Sequence, residues 1–195
     1  MDLKLFRKII DEASGIGVEW ISLSGWGEPL VHPNIPYIIR YIKSRGLRLL
    51  LNTNGSLLEK YLDIILESGV DKIVVSVDSI SEELYKLIRV GGSLPKVEGS
   101  LKRIKEIKIE NMLRNPEVNI QFTLNRMNID DLRRLPEYAI KLGVSRIIIS
   151  NLIPLNPVQE ESLSCYKWDK CREVVNRYMD SMIRVGLEHG VDISL

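Results

Sequence analysis

Val18-Glu19-Trp20-Ile21-Ser22-Leu23-Ser24-Gly25-Trp26-Gly27-Glu28-Pro29 carries a short apolar run straight into two glycines, a carboxylate and a proline. The part from Glu19 to Ser24 reads as a strand, and the glycines at its carboxyl end let the backbone come close to a polar ligand. Glu28 supplies a charge with which to grip it. Parallel α/β architectures bind their ligands at this end of the strands, so the stretch sets both a fold to expect and a place to look.

Working outward, the same unit recurs. Leu47 to Asn52, Lys72 to Val77, Val118 to Thr123 and Ser145 to Leu152 are further short runs rich in Ile, Val and Leu, as strands covered on both faces by helices should be. Between them lie amphipathic stretches at Ile35 to Ser44, Glu59 to Glu67, Ser81 to Ile88 continuing after a loop as Val97 to Asn111, and Ile129 to Leu142. A first helix is expected over Leu3 to Ala13. Gly46, Gly69 and Gly143 follow polar last turns, where a left-handed cap ends a helix. Ser81-Glu82-Glu83 and Asp130-Asp131 put acceptors and negative charge where helices begin.

Strand starts fall about 25 to 28 residues apart, with one gap of 46. That spacing suits βαβ units with right-handed crossovers. The fold class is therefore α/β, a mostly parallel sheet of about five strands curved into a partial, TIM-like (β/α) barrel. After Ile153-Pro154-Leu155-Asn156-Pro157 a polar loop runs to about Lys167, Asp169 to His189 reads as one long helix, and Val191 to Leu195 begins another strand. Residues 1–157 form the barrel core and 158–195 belong to the same domain.

Every strand tip carries a hydrogen-bonding group. The tips are Ser24 to Pro29, Asn52-Thr53-Asn54-Gly55, Ser76-Val77-Asp78-Ser79, Thr123-Leu124-Asn125-Arg126 and Ser150-Asn151. They are mostly neutral, with Glu28 and Asp78 as the main carboxylates. Such a set suits a zwitterionic, ribose-bearing small molecule: Glu28 for an ammonium, Asp78 or Ser76 for sugar hydroxyls, Arg126 for a carboxylate. It suits a triphosphate poorly, and neither GxxxxGK[ST] nor GxGxxG occurs.

Composition narrows the partners. The 195 residues carry a net charge of +1, too little for a general attraction to nucleic acid, and Lys102 to Lys108 reads as a solvated helix face. The apolar runs fall far short of the roughly 20 residues that cross a bilayer. With no secretory leader pattern at Met1 to Lys8, a cytoplasmic address is expected. Cys165 and Cys171 are too few for a disulfide framework or for a tetrahedral metal site without histidine help. They read as ordinary thiols, with a remnant metal site as the sharper alternative.

Some readings stay open. Glu28 is either a helix cap or a ligand contact, and the flanking Gly25, Trp26, Gly27 and Pro29 favour the contact. Trp26 belongs either to the core or to a ligand wall. Asn54-Gly55 is a common turn pair, Asp78 a candidate helix cap, Arg126 a candidate loop charge, and His32 a packing or capping residue.

Taken together, Gly25-Trp26-Gly27-Glu28-Pro29, Leu30-Val31-His32-Pro33, Thr53-Asn54-Gly55 and Val75-Ser76-Val77-Asp78-Ser79 resemble the radical S-adenosylmethionine enzymes over roughly Met1 to Pro157. Within that family the core resembles the type that matures molybdenum cofactor, pyrroloquinoline quinone or peptides. The resemblance implies a partial barrel in which Gly25 to Pro29 meets the amino group of S-adenosylmethionine. Thr53, Asn54, Ser76 and Asp78, with Asn125 and Arg126, would line the rest of that cofactor's site. It also implies a [4Fe-4S] cluster held by a CxxxCxxC loop in the intact enzyme. That loop is not encoded in these residues, and no strand precedes the first helix.

Two readings follow. One is a radical enzyme core lacking its first strand and cluster loop, inactive alone. The other is a non-catalytic module that binds S-adenosylmethionine or a partner. In either, the free edge of the strand 19–24 is a place for a partner chain or for a preceding segment.

Overall fold

The computed structural model describes residues 2–165 and 168–194. Six strands form one sheet in strict chain order: β1 (Trp20–Leu23), β2 (Arg48–Thr53), β3 (Lys72–Ser76), β4 (Glu117–Leu124), β5 (Arg146–Asn151) and β6 (Asp192–Ser194). Every neighbouring pair is parallel, in registers such as Leu51↔Ile73 and Val75↔Ile120. Parallel strands added one after another by right-handed crossovers keep their helices on one side and curl the sheet toward a barrel. This one stays open. β6 is the sixth strand, in the place where Val191 to Leu195 begins one; Leu195 lies outside the described residues.

Helices α1 (Leu3–Gly15), α2 (Ile35–Ser44), α3 (Leu58–Glu67), α4 (Glu82–Ile88), α5 (Leu94–Glu110), α6 (Leu135–Leu142), α7 (Pro157–Ser162) and α8 (Asp169–Glu188) complete the order. Burial alternates along the strands, so one face is packed rather than both. Leu49, Leu51 and Thr53 are buried while Arg48, Leu50 and Asn52 keep partial exposure, and Ile147 and Ile149 repeat the pattern on β5. The exceptions lie at the centre, where Ile73, Val74 and Val75 are all buried.

Expected and observed elements differ where tertiary packing or local geometry overrides pattern. Ile129 to Leu142 splits into a 3₁₀ segment, Ile129–Arg134, and α6, whose second residue is Pro136. The loop after β5 contains α7, capped by the Asn156 side chain on the Gln159 amide. Its expected end at Lys167 lies outside the described residues. Cys165 and Cys171 are not the free thiols expected. Their sulfurs are bonded to one another, their Cα atoms are 5.5 Å apart, and both residues are buried.

The amino end of the sheet is tied by charges. The Trp20 ring lies under the Arg48 and Lys72 cations at 5.6 and 5.8 Å, Lys72 pairs with Glu117 at 3.2 Å, and Arg146 with Asp192 at 2.8 Å. The carboxyl end is left for other work.

Candidate functional site

Glu28 is the first fixed point at the carboxyl end. Its Oε1 accepts from the Thr53 hydroxyl at 2.7 Å and from the Leu30 amide at 3.1 Å, and its Oε2 accepts from the Asn54 amide at 2.6 Å. Charge-assisted bonds of this length are the strong ones. The carboxylate thereby caps the 3₁₀ turn Pro29–Val31 and staples the first strand tip to the second. His32 is likewise a cap, its Nδ1 accepting from the Asn34 amide.

Thr53 and Gly55 complete this turn. The Thr53 hydroxyl accepts from the Gly55 amide at 3.0 Å while it donates to Glu28. Gly55 has φ +80°, and a Cβ there would come within 3.0 Å of Val97 and 3.1 Å of Val75. Both the backbone angle and the space demand glycine.

Asp78 is the second fixed point. It is 5 % exposed, its Oδ1 accepts from the Thr123 amide at 2.8 Å, and its Oδ2 pairs with the Arg89 guanidinium at 2.7 Å. Behind it a polar turn props the tip. The Asn128 amide donates to the Asp78 and Thr123 carbonyls, and Asp131 accepts from the Ser79 hydroxyl and the Ile80 amide. The Asn125 amide donates to Asn128. Ser81, not Asp78, caps α4.

Two adjoining cavities lie between these points. The smaller, about 370 Å³, is lined by Gly25, Gly27, Glu28, Thr53, Ser76 and Arg89 among others. The larger, about 610 Å³, takes Asp78, Tyr85, Gly92, Thr123 and Asn125 into its walls. Asn54 and Arg89 line both. The expected residues Gly25, Gly27, Glu28, Thr53, Asn54, Ser76, Asp78 and Asn125 thus converge.

Three others stand apart. Trp26 is 97 % exposed and belongs neither to the core nor to a cavity wall. Pro29 opens the 3₁₀ turn. Arg126 turns the other way: its Nε donates to the Ser164 carbonyl at 2.7 Å and its guanidinium lies 5.2 Å from the centre of the Trp168 ring.

Arg89 is the residue that sequence reading missed. It follows α4, thirteen positions after Ser76, with its side chain a quarter exposed and its Nε buried without a partner. A signal was present, since an aspartate at a strand tip is often paired when buried, and Arg89-Val90-Gly91-Gly92 is the next glycine-containing loop after it. Tyr85 was missed too. Its phenol is pushed above the ordinary value by burial first, then by Asp78 and Glu82, with Arg89 opposing.

Tested as a metal centre, the site does not qualify. Among the described residues no three His, Cys, Asp or Glu side chains come together as ligands, and the two cysteines are bonded to each other. Chemically, the arrangement offers a carboxylate-pinned glycine turn, a bridging guanidinium, and hydroxyl and amide groups beside a larger space walled partly by apolar side chains. That is equipment for gripping a small zwitterion.

The sequence profile of the Radical SAM superfamily matches residues 1–139. The tungsten-containing aldehyde ferredoxin oxidoreductase cofactor-modifying protein of Pyrococcus furiosus is 33% identical over 162 residues, 82% of this chain and 45% of that protein. A probable GTP 3',8-cyclase of Methanococcus aeolicus is 33% identical over 175 residues, 86% of this chain and 54% of that protein. The chain therefore spans about half the length of these curated relatives. Among solved structures, Streptococcus suis SuiB bound to S-adenosylmethionine superposes with a TM-score of 0.79 at 17% identity, covering 100% of this chain and 43% of that one. Escherichia coli coproporphyrinogen III oxidase gives 0.69 at 12% identity, over 94% of this chain and 45% of its own.

Proposed function

The chain belongs to the radical S-adenosylmethionine superfamily, and from that premise we propose that it binds S-adenosylmethionine across the carboxyl ends of β1 to β4. The observation that carries this reading is the pair of adjoining cavities sharing Asn54 and Arg89, walled by the Glu28 and Asp78 turns. The glycine backbone at Gly25 and Gly27, with Glu28, Pro29, Thr53 and Asn54, holds the amino-acid end. Arg89 offers its unpartnered Nε to the carboxylate. Ser76, Asp78 and Asn125 face the ribose. Arg126 serves through the loop it ties down.

When bound beside a reduced [4Fe-4S] cluster, S-adenosylmethionine supplies the 5′-deoxyadenosyl radical on which this superfamily's chemistry rests. The residues of this chain do not fit the cluster, since its 195 residues contain two cysteines and those are paired. Its own part in this reading is to bind and orient the cofactor in the service of cofactor or peptide maturation. Cluster ligands come from elsewhere, and the free edge of β1 receives a further strand from a partner chain or a preceding segment.

The paired cysteines favour a second reading, in which the chain binds the cofactor and does no radical chemistry. Calorimetric titration with S-adenosylmethionine tests what the two share. Saturable binding that Glu28→Ala weakens at least about tenfold is expected, since it removes a charged anchor; absence of binding overturns both. Anaerobic reconstitution with iron, sulfide and dithionite separates them. 5′-Deoxyadenosine formed by this chain alone would show that it holds a cluster after all.

A further inference from the structure

The bond between Cys165 and Cys171 lies outside the two cavities described above. Both residues are buried, yet they line a third cavity of about 240 Å³, walled also by Leu124 and Asn151 at the tips of β4 and β5 and by Arg172 of α8. That space gives another sulfur a route to the pair. The two sulfurs are not equivalent. Cys171 stands in the first turn of α8, and its amide donates to the Trp168 carbonyl at 2.9 Å. A helix amino end favours negative charge, and the neighbouring Lys170 and Arg172 add to this, with Asp169 in the same turn opposing. Cys165 precedes the helix and has neither advantage. When the bond opens, Cys171 is therefore the better leaving thiolate.

The backbone beside this bond grips the tip of β4. The Arg126 amide donates to the Leu163 carbonyl at 3.0 Å, its Nε donates to the Ser164 carbonyl at 2.7 Å, and its guanidinium lies 5.2 Å from the centre of the Trp168 ring. The Trp168 amide in turn donates to the Cys165 carbonyl at 3.2 Å. Asn125, next to Arg126, lines the larger cavity, so the clasp bears on that wall. We propose that the Cys165–Cys171 bond is a thiol–disulfide exchange site for a protein dithiol, and that its reduction releases the clasp on Arg126. A thiolate of the dithiol attacks the Cys165 sulfur, the bond to Cys171 breaks, and Cys171 leaves as thiolate. The second thiol of the reductant then attacks its partner sulfur in the mixed disulfide, and Cys165 leaves. Two electrons and two protons pass to the pair, and the reductant becomes the disulfide. A dithiol suits the narrow cavity because a single entering side chain starts the exchange and no second molecule is needed to finish it.

The test incubates the full, air-equilibrated chain with reduced thioredoxin or with dithiothreitol, without denaturant, then alkylates it and counts labels by mass. Both thiols are expected to label after either dithiol and neither before. Arg172→Gln is expected to slow the reduction about twofold to threefold by removing a charge beside the leaving sulfur. Hydrogen exchange reads the clasp: on reduction the Arg126 amide should exchange on the order of tenfold faster, while those of Ile73 and Ile120 stay unchanged. The double variant Cys165→Ser/Cys171→Ser, which holds the pair open, should show the same fast Arg126 amide with the sheet intact. Thiols that label before reductant, or that label only once the chain is unfolded, overturn the exchange site. Reduction in the native chain with no change at Arg126 overturns the clasp.

Discussion

At the scale of single residues, the carboxyl end of the sheet is held by groups with several obligations each. Glu28 satisfies two backbone amides and a hydroxyl, so Glu28→Ala leaves three donors without their partner at a half-buried turn. We expect a loss of about 2 kcal/mol in urea unfolding, and a smaller one for Glu28→Gln, which keeps an acceptor. The glycines sort by geometry. Gly55→Ala combines a positive φ with collisions at Val97 and Val75 and should cost about 2 kcal/mol, whereas Gly27→Ala, with ordinary φ and open space, should be near neutral. Equal effects at the two sites would mean that Val97 yields and that the turn is softer than it looks. The placement of Glu28, Thr53 and Asp78 was legible because they sit directly on strand tips, where the chain order states their position. Arg89 was not, because its place depends on how α4 ends and how the following loop returns across the sheet.

At the scale of elements, α4 and α5 are joined through Glu82, whose Oε2 accepts from the Leu94 amide at 2.8 Å while Oε1 pairs with Lys86 at 2.7 Å. The hydrogen bond from Lys86 is the largest influence on its carboxyl; burial opposes it, and the Leu94 amide adds to it, leaving the group below the usual glutamate range. A depressed folded value means that its stabilisation is complete above the ordinary glutamate pKa and is lost as pH falls through the depressed one. Glu82→Gln should therefore lower stability at neutral pH and flatten the acid limb of the stability profile; an unchanged acid limb would mean that the carboxyl titrates alike in both states. The Cys165–Cys171 bond makes a separate claim, that alkylation of the denatured chain without reductant labels neither thiol and with reductant labels both. The elements themselves were mostly legible, since apolar runs bounded by Gly46, Gly69 and Gly143 mark strands and helix ends by period and stop. What escaped reading was set by geometry beyond pattern: Asp130-Asp131 opening a 3₁₀ segment instead of an α-helix, and Asn156 capping the short α7 within a polar stretch.

At the scale of the whole molecule, the strand order makes β1 an edge with one hydrogen-bonded neighbour among the described residues, while β3 and β4 sit inside the sheet with neighbours on both sides. β1 is also thinly covered. Trp20 is 41% exposed, Ser22 is exposed, and Ile21 and Leu23 are only partly buried, against 0% exposure for Ile73, Val75, Ile120 and Phe122. This edge carries the Gly25 to Pro29 turn, so the local stability of β1 sets how firmly that wall of the proposed cofactor site is held. Local opening costs least where burial is least and backbone bonds are fewest. Native-state hydrogen exchange should then show β1 amides exchanging on the order of a hundredfold faster than those of β3 and β4. Loading the site with S-adenosylmethionine should slow β1 through the Glu28 staple while leaving β3 unchanged. Protection of β1 equal to that of β3 in the unliganded chain would mean that the edge is already paired, by a second copy, and sedimentation at two concentrations would reveal it. Slow exchange from a monomer would instead overturn the view of β1 as an open edge, and with it the proposal that a further strand completes this wall.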